Sequence, residues 1–233
     1  MALVTLESLR SRSITHAISL GAECVVAYNL RRFFNFSAAF PFDWWISPIA
    51  SVCSLLLQFD TVDLYDPGKL SLLEGHISTV RHVDHGIWLH HEFPRAWNGT
   101  MGVVVADYAD YIAKAKSRTL FLRERLLACN HAGNRILFVR KRSWAHDQGV
   151  ASEYLELVEA LSHVFPLVEF GVLLVNFHPN SSRDDTLTFA YTQAPEEPLR
   201  AANAEWDRIL NDAGLHLDNP DLGLFSDADT APE

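Results

Sequence analysis

The chain is 233 residues long, 48% hydrophobic and 21% charged, with a formal net charge of −10. That balance fits an ordinary soluble globular protein with apolar material for one large core, and its negative sign argues against a nucleic-acid partner, because such binding rests on basic side chains facing phosphates. Three cysteines without C-x-x-C spacing argue against a disulfide framework or a cysteine zinc site, and with no basic leader or span-length apolar run the expectation is a cytoplasmic chain with no membrane partner.

Residues 17–20 read as a short buried strand that ends in Gly21 and delivers Cys24 into the first turn of a helix over 22–34, where Ala27, Leu30 and Phe34 recur at helical spacing. A strand–turn–helix start is a common place for a site in an α/β protein. Backbone N–H groups at a helix start are unpaired and carry partial positive charge, so they stabilise a thiolate and lower the thiol pKa. They can also hold an oxyanion beside the sulfur. Cys24 is therefore a candidate nucleophile, with Ser19 and Gly21 as candidate oxyanion or substrate contacts. The competing reading is a buried cysteine acting as a small hydrophobe. Cys53, inside an apolar helix over 48–58, and Cys129, near the end of a later helix, read as packing residues.

Phe40-Pro41-Phe42-Asp43-Trp44-Trp45 reads as an extended aromatic segment that proline keeps out of a helix. Asp43 needs a partner for its carboxylate there; it is a candidate to orient a catalytic imidazole, or else to cap the turn. Trp44 offers a substrate an apolar wall. From 60 to 98 turn residues and histidines dominate, with strands expected at 77–83 and 86–89. A thiol nucleophile needs a base, usually histidine, and the densest set is His82, His85, His90 and His91 with Asp84. Adjacent strand residues face opposite sides, so one of His90 and His91 should point at the site, and His91 is taken as the base. The same cluster competes as a zinc or iron site, but it has no H-E-x-x-H and no regular ligand spacing. No metal and no cofactor is expected.

Residues 104–128 carry the pattern of a long amphipathic helix, stopped by the turn around Gly133. A strand at 135–140, a helix at 151–165 and a strand at 168–177 then make a β-α-β unit, and the continuous apolar runs of its strands mark a parallel sheet covered on both faces. Arg140, with Arg135, Lys141 and Arg142, is either a solvated strand end or the docking point of an anionic substrate. Asp147 and His178 stand just past strands as reserve site residues. An edge strand at 186–191, a helix at 199–213 carrying Trp206, and a disordered acidic tail at 226–233 complete the chain. Without repeats or linkers, the expectation is a single α/β domain over 1–225 with a mainly parallel central sheet flanked by helices.

Ser19-Leu20-Gly21-Ala22-Glu23-Cys24, Leu30-Arg31-Arg32 and Pro41-Phe42-Asp43-Trp44 resemble the S-L-G-x-x-C, L-(K/R)-(K/R) and P-F-D-W signatures of a bacterial family labelled papain-like cysteine peptidases. His91-Glu92-Phe93 and Ile136-Leu137-Phe138-Val139-Arg140 are similar to its H-D-F and (I/V)-L-F-V-R blocks, so the resemblance runs from residue 16 to 176. It departs in Glu92, where the family has aspartate, and in the doubled Trp44-Trp45. The resemblance implies a thiol hydrolase or acyltransferase, with Cys24 as nucleophile, His91 as base and Asp43 as orienter. Such an enzyme works through a thioester intermediate on a small-molecule, peptide or carrier-bound acyl substrate. The strand-Gly-x-x-Cys-helix start is also similar to the first block of SGNH-type esterases, in which serine is the nucleophile. The expected architecture is thus an SGNH-like three-layer arrangement, with the papain-like α+β layout as the alternative. A non-catalytic binding or accessory protein with Cys24 buried, and a metal-dependent hydrolase built on the cluster from His82 to His91, are the competing functions.

Overall fold

Along the residues described by the computed structural model (3–73, 76–143, 146–177, 203–219 and 222–223), the chain forms its elements in a fixed order. They are α1 (Leu6–Arg10), β1 (His16–Ser19), α2 (Cys24–Phe34), α3 (Ile49–Gln58), β2 (Leu70–Leu73), β3 (His76–His82), β4 (Trp88–Leu89), β5 (Arg95–Trp97), β6 (Gly102–Val104), α4 (Ile112–Ala128), β7 (Arg135–Lys141), α5 (Ala151–Val164), β8 (Glu169–Val175) and α6 (Asn203–Ala213). β1, β7 and β8 make a parallel sheet in that order, with Ile18 opposite Phe138 and Phe138 opposite Val172. Ile18, Phe138 and Leu173 are wholly buried, which is why these strands are apolar on successive residues instead of alternating. α5 connects β7 to β8 and packs on α3, while α2 packs on β1 and on α6, which buries Trp206 completely. Two antiparallel sheets, β2-β3-β4 and β5-β6, sit beside this core. The whole is a single α/β domain with a mainly parallel three-stranded sheet.

Several expectations are corrected. The helix expected over 104–128 begins only at Ile112, because Gly102–Val104 pairs with Arg95–Trp97 and a 3-10 turn at Tyr108–Tyr111 intervenes. The strand expected at 86–89 shrinks to Trp88–Leu89. The segment 40–45 is a buried turn, not an extended run. β2, β5 and β6 were not legible: the last two are three residues each and Trp97 is 72% exposed, so they leave no periodic apolar signal. His178, the strand at 186–191, residues 199–202 of the last helix and the tail at 226–233 lie outside the described residues. Among the described residues, no helix is long and apolar enough to cross a membrane.

Candidate thiol site

Cys24 is the first residue of α2. The strand before it is pinned to β7, since Leu20 N–H donates to Val139 at 2.8 Å and Lys141 N–H donates to Gly21 at 3.0 Å. Gly21 turns the chain at φ +82°, and a Cβ there would stand 2.8 Å from Ser47 Oγ and 3.0 Å from Arg140 Nη1, so only glycine fits this approach. Ser19, 2% exposed, accepts the Gly21 N–H on its hydroxyl at 3.1 Å. Ser19 and Gly21 therefore shape the turn beneath the cysteine, and the Gly21 N–H, expected as an oxyanion donor, is already committed.

A short β-bridge closes the site from the other side. Ser47 N–H donates to the Ala22 carbonyl at 3.1 Å, and Ile46 exchanges hydrogen bonds of 3.1 and 2.8 Å with Trp88. The strand that carries Trp88 ends at Leu89, so His90 and His91 follow immediately in a turn. Strand alternation no longer applies there. Both imidazoles, with Glu23, Cys24, Val25, Trp44 and Ile46, line one cavity of about 210 Å³. The His91 ring meets Trp44 edge-on at 5.9 Å and His90 at 4.6 Å.

The two histidines differ. His90 Nδ1 pairs with the Thr79 hydroxyl at 2.7 Å and its Nε2 accepts from Arg95 at 3.1 Å, so both ring nitrogens are engaged. Because Arg95 has only donors, His90 carries its proton on Nδ1 when neutral. Burial, and then the Arg95 charge, hold its pKa below the ordinary imidazole value. His91 has a longer contact, 3.4 Å from Arg95 to Nδ1, which leaves that nitrogen more easily exchanged for another partner.

The thiol itself is not activated by its helix. The backbone N–H groups of Cys24 and Val25, with Lys141, favour the thiolate, but burial and then the Glu23 carboxylate outweigh them and push the thiol up to about 11. Lys141 Nζ is itself held by Glu23 at 2.6 Å. The expected lowering of this pKa is therefore corrected: partial charges at a helix start cannot offset the loss of solvent in a half-buried cavity beside an anion.

Asp43 is 2% exposed, ion-paired with Arg31, and accepts the Phe40 N–H at 2.8 Å. Burial pushes its carboxyl up, while Arg31 and the Phe40 amide pull it back. It holds the aromatic turn, and its link to His91 runs through Arg31, which stacks on Trp44 at 5.0 Å. Arg140 is corrected as a substrate contact. It is 0% exposed, donates to Leu20 and Ser47 carbonyls at 2.8 and 2.7 Å, and pairs with Asp147 at 2.5 Å. The strand end is thus neither solvated nor a docking point. Asp147 also accepts the Ile49 N–H at 2.8 Å, capping α3. Cys53 and Cys129 are buried packing residues. His82 is also buried, at 1%, and among the described residues no three His, Cys, Asp or Glu side chains gather as a metal site. Glu23, Lys141 and Arg95 were missed as site residues; Glu23 was discoverable as the neighbour of the thiol, whereas Arg95 reaches it only through the turn.

No protein-family model matches this chain, and no curated protein or solved structure matches it.

Proposed function

We propose that this chain is a cysteine-dependent hydrolase or acyltransferase that works through a Cys24 thioester on a peptide, amide or thioester substrate, without a cofactor. The observation that carries the reading is that Cys24, at the start of α2, shares one cavity with His91. The thiol is stored protonated, so the mechanism is general-base and not a resting ion pair. His91 takes the thiol proton as sulfur attacks the acyl carbon, and the carbonyl electrons move to oxygen, where the Cys24 and Val25 N–H groups support the charge. Collapse expels the leaving group, which takes the proton from His91. Water or an acyl acceptor, deprotonated in turn by His91, then attacks the thioester and frees Cys24. Asp43 acts as a positioning residue through Arg31 and Trp44. A nucleophile just past the first strand of a parallel sheet supports an SGNH-like scaffold over a papain-like one, and the motif order supports kinship with the papain-like peptidase family. Unpaired cysteines suit a reducing, cytoplasmic setting.

The test is mass spectrometry after incubation with a simple thioester such as S-acetyl-N-acetylcysteamine. The expected result is an acetyl group on Cys24 that Cys24→Ala abolishes and His91→Ala slows by about a hundredfold. Acetylation spread evenly over Cys24, Cys53 and Cys129 contradicts it. One observation favours a second reading, a non-catalytic binding protein: a thiol pushed up to about 11 is inert at neutral pH unless a base intervenes.

A further inference from the structure

His91 also lines a second cavity, of about 260 Å³, together with Glu92, Arg95, Tyr111, Lys114 and Arg118. Tyr111, Lys114 and Arg118 fall on one face at the start of α4, three and four residues apart. Arg95 comes from β5 across the opening. Lys114 and Arg118 are exposed cations in a chain of net charge −10, and Arg118 acts on the Glu92 carboxylate of the same cavity. Three cations face one carboxylate there. Glu92 is turned to Trp45, whose Nε1 donates to its Oε1 at 3.1 Å; burial pushes its carboxyl up, while Arg118 and the Trp45 hydrogen bond pull it back. A concave site with convergent cations is what recognition of an oxyanion requires.

We infer that this cavity binds an anionic group, phosphate or carboxylate, carried by the acyl substrate, so that His91 borders both the anion's seat and the thiol cavity. Its meaning as a substrate subsite rests on the thiol reading above; its capacity to bind an anion does not. The arrangement also gives the anion a local consequence. Arg95 donates to both imidazoles, and an anion that draws it away removes a positive charge that opposes protonation of His90. The substrate thereby loosens the contact that occupies Nδ1 of the base.

Isothermal titration of inorganic phosphate and of succinate, at low ionic strength, tests this in the native protein, in Lys114→Gln/Arg118→Gln and in Cys24→Ala. Both substituted side chains are exposed on α4, so the double variant keeps the fold. Saturable binding of either anion, weakened at least about tenfold in the double variant and unchanged in Cys24→Ala, supports the inference, and the preferred anion identifies the group. Absence of saturable binding to both anions, or equal binding by the double variant, overturns it and leaves the thiol reading standing. Anion binding without any acetylation of Cys24 does the reverse.

Discussion

At the residue scale the decisive quantity is the ionisation of Cys24. Its position was legible, because an apolar strand, a glycine and a helical repeat leave little choice about where the thiol goes. Its pKa was not, because the burial that dominates it comes from Trp44, Ile46 and the His90–His91 turn, which the local sequence does not place. Glu23 and Lys141 then act in opposite senses on the thiol. Glu23→Gln removes an anion that raises the pKa and leaves the Lys141 ammonium, which lowers it. Loss of the anion shifts the pKa downward, so more thiolate exists at any pH below about 11. Iodoacetamide alkylation of Cys24 near neutral pH should rise about threefold to tenfold, up to one pKa unit, with Cys53 and Cys129 as internal controls. An unchanged or slower rate contradicts this account of the thiol.

At the element scale, the end of β7 is the joint on which the site rests. Arg140 and Asp147 are both fully buried side chains, and together they tie the β1 turn, residue Ser47 and the start of α3. Removing one partner strands a buried charge. Asp147→Ala should therefore cost about 3–5 kcal/mol, read as a lowered denaturant midpoint, and a loss below about 1 kcal/mol, the range of an exposed pair, contradicts the joint. β7, α5 and β8 were legible because each is a long segment with one unbroken pattern. The basic residues at the strand end misled for a physical reason: charge in sequence suggests solvent, and only the tertiary partners Asp147 and Glu23 make burial tolerable. Asp43 shows the same logic, since Arg31 on α2 absorbs the carboxylate that sequence offered to an imidazole.

At the scale of the whole molecule, the site exists because residues far apart in the chain are stitched together. The pairing of Ile46 with Trp88, and of Ser47 with Ala22, brings the histidine turn to the thiol; no periodicity in the sequence encodes those contacts. The parallel sheet fixes one wall and the small antiparallel sheets the other, so the proposed acyl chemistry depends on both. The most direct test of that chemistry is the rate of Cys24 acetylation by S-acetyl-N-acetylcysteamine from about pH 5 to about pH 10, in the native protein and in His91→Ala. General-base action predicts that the native rate levels off at a pH well below the thiol's own ionisation at about 11, and that His91→Ala loses this plateau. A native rate that climbs about tenfold per pH unit towards the thiol's own ionisation at about 11, superimposable on that of His91→Ala, would contradict it.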